Sequence, residues 1–100
     1  MTKLETEFTA ALISAVNQAE SLTGVGEPRL IQQAETIGGV KAVKQQLSRG
    51  QLTRQFTPLK NQGHLELSME ALVIQGKYAA LFTDEEVNLC LETLLDAGMF

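Results

Sequence analysis

Residues 64–100 read HLELSMEALVIQGKYAALFTDEEVNLCLETLLDAGMF, and this stretch decides the fold. Its closing helix carries the strongest local signals. Thr83 and Glu86 stand three residues apart, which is the spacing of a capping box. Gly98 fits the left-handed residue that ends a helix. Between them apolar residues recur at helical spacing, which predicts a helix buried on one side: Val87, Cys90, Leu91, Leu94 and Leu95.

The segment before this helix is predicted to form a short buried helix and an apolar corner. Ser68 fits the N-cap of a helix over Met69–Gln75, and Gly76 fits its end. Three consecutive apolar residues at 72–74 predict burial on several sides of that helix. Aromatic side chains dominate core energetics, so the corner is predicted to pack inward through Tyr78, Leu81 and Phe82.

The N-terminal segment, residues 1–26, is predicted to be one long helix. Thr2 and Glu5 repeat the capping-box spacing, and Gly24 fits the helix end. A subset of its apolar residues steps by four and three, as in a coiled-coil seam: Phe8, Leu12, Ala15, Ala19 and Leu22. This seam can pack on the rest of the domain or on a second copy of the chain, and the pattern leaves both alternatives open.

The middle of the chain is predicted to contain further short helices separated by glycine and proline. Pro28 fits the first turn of a helix, and Gly38–Gly39 fits an interhelical turn. Gly50 fits the end of the next helix. A later helical turn is expected near Pro58, with Thr57 as its cap.

Taken together, the patterns predict an all-α fold with five or six short helices in a single domain over residues 1–100. Within it, residues 1–26 form the N-terminal helix, a candidate association element, and residues 27–100 form a helical module. No other stretch alternates convincingly as a strand would. A chain of 100 residues is long enough for one modest core.

The composition indicates the cellular compartment in which we expect the protein. A single cysteine cannot form an internal disulfide, which fits a reducing cytosol. Residues 1–7 are polar and acidic, so we expect no secretory leader, and no apolar run is long enough to predict a membrane span. We therefore expect a cytoplasmic protein.

Charge is distributed unevenly along the chain. The net charge of −4 disfavours nonspecific binding to nucleic acid. Residues 27–63 nevertheless carry six basic and two acidic residues, whereas both flanking segments are acidic. The alternatives are attraction between segments within the fold and a basic surface for an anion. In the second case the segment 29–60 would contact nucleic-acid phosphates through Lys41, Lys44, Arg49, Arg54 and Lys60.

Residues able to carry chemistry are sparse. His64 is the only histidine and Cys90 the only cysteine, and zinc sites need about four such ligands at recognisable spacing. The acidic run 84–86 is explained by the positive end of the closing helix. We therefore expect no enzyme, no metal site and no cofactor.

Several quoted runs together resemble an uncharacterised bacterial helical module. They are GVKAVK at 39–44, FTPL at 56–59, GHLELSMEALVI at 63–74 and YAALFTDEE at 78–86. The resemblance covers about residues 30–97 and implies a helical fold, with no activity, cofactor or catalytic residue. With the apolar first-helix seam, it leads us to expect a non-enzymatic module that binds another protein, with a homodimer as one form, and nucleic-acid binding as the alternative.

Overall fold

The computed structural model describes residues 2–50 and 52–99, and within them it contains seven α-helices, one short 3-10 helix and no strand. Five of the α-helices have seven or more residues, so the all-α prediction is confirmed and the helix number is close to the predicted five or six. The elements are α1 (Lys3–Thr23), α2 (Pro28–Ile37), α3 (Gly39–Ser48), α4 (Phe56–Gln62), the 3-10 helix (Leu65–Leu67), α5 (Met69–Val73), α6 (Gly76–Ala79) and α7 (Asp84–Asp96).

Both predicted capping boxes are present. The Thr2 hydroxyl accepts from the Glu5 backbone N–H at 3.1 Å, and the Glu5 carboxylate accepts from the Thr2 N–H at 3.0 Å. At α7 the Thr83 hydroxyl accepts from the Glu86 N–H at 3.1 Å, with the return bond at 2.8 Å. Each box satisfies backbone donors that a helix start otherwise leaves unpaired, so the longest helix and the closing helix begin where the sequence predicts.

Helix α1 is the centre of the core, and this resolves the alternatives for its apolar seam. Phe8, Leu12 and Ala19 have no exposed surface in the single chain, because α2, α3, α4, α5 and the 3-10 helix pack around them. Ala15 is half-buried, and only Leu22 is clearly exposed, at 45%. The expectation of an association surface is therefore corrected for Phe8, Leu12 and Ala19, which belong to the domain's own core, where a partner cannot contact them.

Three aromatic rings join the two ends of the chain. Phe8 of α1 packs edge-on against Tyr78 of α6 and against Phe82, with ring centroids 5.2 Å apart in both pairs. Such edge-to-face pairs contribute about 0.5–1.5 kcal/mol each beyond the area that they bury. The prediction that the aromatic corner packs into the core is confirmed.

Helices α1 and α3 approach each other closely at Gly39. The Gly39 backbone N–H donates to the Thr9 hydroxyl at 2.8 Å. A Cβ placed on Gly39 would lie 2.9 Å from the Thr9 Cα and 3.3 Å from the Phe8 ring. Only Gly38, with φ of 91°, separates α2 from α3, so the predicted glycine turn is confirmed and both helices lie against α1.

Two local predictions are wrong, and a third holds only in part. Helix α4 begins at Phe56 rather than after Thr57, because the Phe56 side chain is buried and Pro58 is tolerated in a first turn that needs no N–H from it. Helix α5 ends at Val73, and Gly76 begins α6 instead of ending a helix. On α7 the predicted apolar stripe is buried at Cys90 and Leu94 and partly buried at Val87, whereas Leu91 and Leu95 are exposed.

Gly39→Ala should destabilise the protein, since the added methyl group meets backbone rather than a movable side-chain end. Overpacking of this kind typically costs about 1–3 kcal/mol. The matched control is Gly76→Ala, where a Cβ would meet nothing within 4 Å and the glycine φ is not left-handed. Urea unfolding followed by circular dichroism would compare the two variants. Equal stabilities would contradict the close approach of α1 and α3.

Candidate binding site

A cluster of buried polar side chains interrupts the otherwise apolar core. Its members are Glu27, Thr53, Gln55, Ser68 and Glu70. The Gln55 side-chain amide donates to the Val16 carbonyl at 3.1 Å and to the Val25 carbonyl at 2.6 Å. These bonds fasten the irregular segment 52–55 to α1 and to the loop before α2, which brings Thr53 beneath α5.

Glu27 is one of two carboxyls in this cluster. Burial raises its pKa, and hydrogen bonds from the backbone of Gln55 and Arg54, together with the Arg54 charge, partly oppose that rise. Its Oε2 has no hydrogen-bond partner among the described residues. A buried carboxyl oxygen without a donor favours the protonated acid over the charged form.

Glu70, in the first turn of α5, is the second and more deeply buried carboxyl. Only 3% of the residue is exposed, and burial raises its pKa to about 7. The nearby charge of Glu27 raises this pKa further, whereas hydrogen bonding with Thr53 lowers it. The Glu70 Oε1 atom has no hydrogen-bond partner within residues 2–50 and 52–99.

Glu70 is one of the residues that line a small surface pocket of about 60 Å³. Its other lining residues are Leu47, Gly50, Leu52, Leu89 and Thr93. Leu52 is 52% exposed and Leu89 is 43% exposed, so these two leucines stand at the mouth. The Thr93 hydroxyl donates to the Leu89 carbonyl at 2.8 Å.

A second hollow of about 360 Å³ adjoins this pocket between α4 and α7. The two share Leu52 and Thr93 in their linings and therefore lie side by side, and the pair is here named the Leu52 groove. The hollow is lined in addition by Phe56, Thr57, Lys60, Asn61, Asp96 and Ala97.

The five predicted phosphate-contacting residues have different surroundings in the fold. Lys44 forms an ion pair with Glu86 at 2.7 Å and lies 5.4 Å from the centre of the Phe82 ring, so its charge is already paired. Lys60 lines the Leu52 groove. The remaining three are exposed on the surface: Lys41, Arg49 and Arg54. The nucleic-acid hypothesis for segment 29–60 stays a prediction, with one of its five contacts engaged within the fold.

His64 and Cys90 lie in different environments. His64 Nδ1 is 3.0 Å from the Glu66 carboxylate on the surface, and this contact lowers the pKa of Glu66. Cys90 is fully buried as predicted, and burial followed by the charges of Glu70 and Glu86 raises its pKa to about 12. A thiol with so high a pKa is a poor nucleophile. Over the described part of the chain, no three histidine, cysteine or acidic residues cluster as metal ligands would.

The burial of Glu70 is difficult to predict from the sequence. An acidic residue in the first turn of a helix is ordinarily explained by the helix dipole, and Glu70 is the second residue after the N-cap Ser68. The one available signal is its position inside an apolar run, with Ala71 and Leu72 following it. Its burial depends on segment 52–55, which includes Thr53. That segment is held by the contact of Gln55 with α1, and a contact between residues so far apart cannot be predicted from a local pattern.

Comparisons of this chain with protein-family models, with curated proteins and with solved structures find no match. The resemblance to a bacterial helical module therefore stays a prediction. In the described ranges, no helix has both the length and the apolar character needed to cross a bilayer.

The raised pKa of Glu70 makes stability depend on pH. The folded-state pKa of about 7 lies above the ordinary value of 4.5, so the folded protein binds the Glu70 proton more tightly than the unfolded chain does. The stability that this proton contributes is fully present below pH 4.5 and is lost as the pH rises through 7. A shift of this size corresponds to a loss on the order of 3 kcal/mol. In Glu70→Gln this decrease in the free energy of unfolding should be absent, and the variant should be more stable than the wild type at pH 9.

Urea unfolding at pH 5, 7 and 9 measures this difference between wild type and Glu70→Gln. The control is Glu92→Gln, since Glu92 is exposed on α7 and its removal should leave the wild-type pH profile intact. A stability difference between Glu70→Gln and wild type that stays constant from pH 5 to 9 would show that Glu70 does not titrate in this range.

Proposed function

We propose that this chain is a non-enzymatic helical module that binds another protein, and that the Leu52 groove is its binding surface. The observation that carries the proposal is the pair Leu52 and Leu89. Both are large apolar side chains, both are about half exposed, and both line the same pocket. Scattered apolar residues on a surface need no explanation, whereas two that border one concave site are typical of interaction surfaces.

The rest of the groove supports this proposal. Phe56 and Ala97 supply apolar lining in the adjoining hollow, and Lys60 and Asp96 supply charges of both signs. An apolar centre with a polar rim is the usual anatomy of a protein interface. The groove is formed by α4, α7 and the segment that Gln55 fastens to α1, so it is held by the core rather than by a free loop.

A second copy of the chain is one partner included in this proposal. It would have to use the groove rather than the α1 seam, since most of that seam is already inside the core. In a two-fold dimer each subunit contributes the same patch to the interface. A single substitution therefore changes the contact surface of both subunits. Sedimentation velocity across micromolar concentrations tests this form directly.

Leu89→Asp should abolish binding while leaving the fold intact, because it places a charge in the groove at a position already exposed to water. Leu91→Asp is the matched control: Leu91 is exposed on the same helix but lines neither part of the groove. Peptides selected from a random display library on the wild-type protein should bind Leu89→Asp at least about tenfold more weakly and Leu91→Asp equally well, since tenfold corresponds to about 1.4 kcal/mol.

Any self-association of the wild-type protein should respond in the same way to the two variants. Circular dichroism of both variants establishes that they are folded. A selection that yields no peptide sensitive to Leu89, together with self-association that is absent or equal in the two variants, would refute the Leu52 groove as the binding surface.

A further inference from the structure

The two sides of the Leu52 groove carry opposite charge. On one side α4 contributes Lys60, and residues 36–65, which include α4, contain five basic residues and no acidic one. On the other side α7 contributes Asp96, and residues 78–100, which include α7, contain five acidic residues and no basic one. The larger hollow of the groove therefore lies between a positively charged helix and a negatively charged helix.

The two charges that line this hollow are not paired with each other. Within residues 2–50 and 52–99 the ion pairs are those of Lys44 with Glu86 and of His64 with Glu66. Lys60 and Asp96 line the same hollow, and both are exposed to solvent. Exposed charges of opposite sign on the two sides of one surface site allow a partner of complementary charge to bind there.

The half-exposed leucines of the groove are divided between the same two sides. Leu52 lies in the segment that leads into α4, whereas Leu89 lies on α7, one turn before Thr93. Each side of the groove thus carries one exposed leucine and one charge, and the sign of the charge is the main difference between the two sides.

A surface of this kind is complementary to itself. A two-fold rotation about an axis that runs along the groove places α7 of a second copy over α4 of the first, and α4 of the second over α7 of the first. Lys60 then faces the partner's Asp96, and Leu52 faces the partner's Leu89. A two-fold axis that crosses the groove would instead bring like charges together, which is unfavourable.

We propose that the partner bound by the Leu52 groove is a second copy of this chain, in a two-fold dimer held by two Lys60–Asp96 ion pairs around an apolar centre. This inference rests on the proposed function, since it names the partner of the same surface. A foreign protein would have to supply an acid, a base and apolar side chains in the matching arrangement, whereas every second copy carries them.

Charge reversal tests this arrangement. Lys60→Glu and Asp96→Lys should each weaken self-association by at least about tenfold, because each substitution turns both ion pairs of the dimer into contacts between like charges. Interfaces of this size form weak complexes, so sedimentation velocity is measured from about 10 μM to 1 mM. Both positions are exposed, and circular dichroism establishes that the two variants are folded.

An equimolar mixture of the two variants is the decisive sample. In a mixed dimer both contacts again join opposite charges, so the mixture should associate about as tightly as the wild type. The double variant Lys60→Glu/Asp96→Lys should also self-associate like the wild type. If the two residues interacted only within one chain, the double variant would recover but the mixture would remain monomeric.

The matched controls are Lys41→Glu and Glu35→Lys. Both residues are exposed, on α3 and α2, and neither lines any part of the Leu52 groove. They change the net charge of the protein as the test variants do, and they should leave self-association unchanged.

A spin label gives a second measurement that does not change Lys60 or Asp96. The label is attached at Glu92→Cys, which is exposed on α7, while burial raises the pKa of Cys90 to about 12 and keeps its thiol unreactive. Labelled protein mixed with ¹⁵N-labelled wild-type protein should broaden the amide signals of α4 across the dimer. Broadening confined to α1 and α2 would contradict the proposed contact.

Three further results would overturn the dimer. These are a wild-type protein that is still monomeric at about 1 mM, a mixture of the two variants that does not associate, or controls that weaken association as much as the test variants. A monomeric wild type whose selected peptides still depend on Leu89 would refute the dimer alone and leave the proposed function standing.

Discussion

The close contact between α1 and α3 at Thr9 and Gly39 is the constraint on which the fold depends. It holds α3 against the central helix with a hydrogen bond from the Gly39 backbone to the Thr9 hydroxyl, in a space that has no room for a Cβ. The Phe8 ring lies beside the same glycine, and it makes edge-to-face contacts with Tyr78 and Phe82 from the later part of the chain. One short stretch of α1 thus positions both the middle helices and the corner that leads into α7.

The second organising feature is a set of polar ties that hold an irregular segment in the core. Gln55 binds two carbonyls of the N-terminal region, and Gln62 donates to the Leu22 carbonyl at 2.9 Å. These bonds let segment 52–55 run beneath α5 without unpaired amide donors on its side chains. The consequence is that Glu27 and Glu70 become buried within reach of each other's charge, which costs stability when either ionises.

Local sequence signals predicted where helices begin and where the chain turns better than they predicted where helices end. They did not predict the candidate site. The capping boxes at Thr2 and Thr83 depend only on residues three apart, and the Gly38–Gly39 turn depends on backbone freedom, so both can be recognised in sequence. Whether Leu12 faced its own domain or a second copy could not be decided, because both environments are equally apolar. Glu70 could not be recognised as a site, because its burial follows from where a distant loop runs.

The buried carboxyl of Glu70 weakens the free chain when it ionises, because burial opposes the charged form. A glutamine at position 70 has nearly the same shape and does not carry this cost. Glu70 shares its pocket lining with Leu52 and Leu89, which are about half exposed. Departures from the rules of core packing are concentrated at functional sites. The proposed binding surface therefore includes the part of the molecule in which the fold gives up stability.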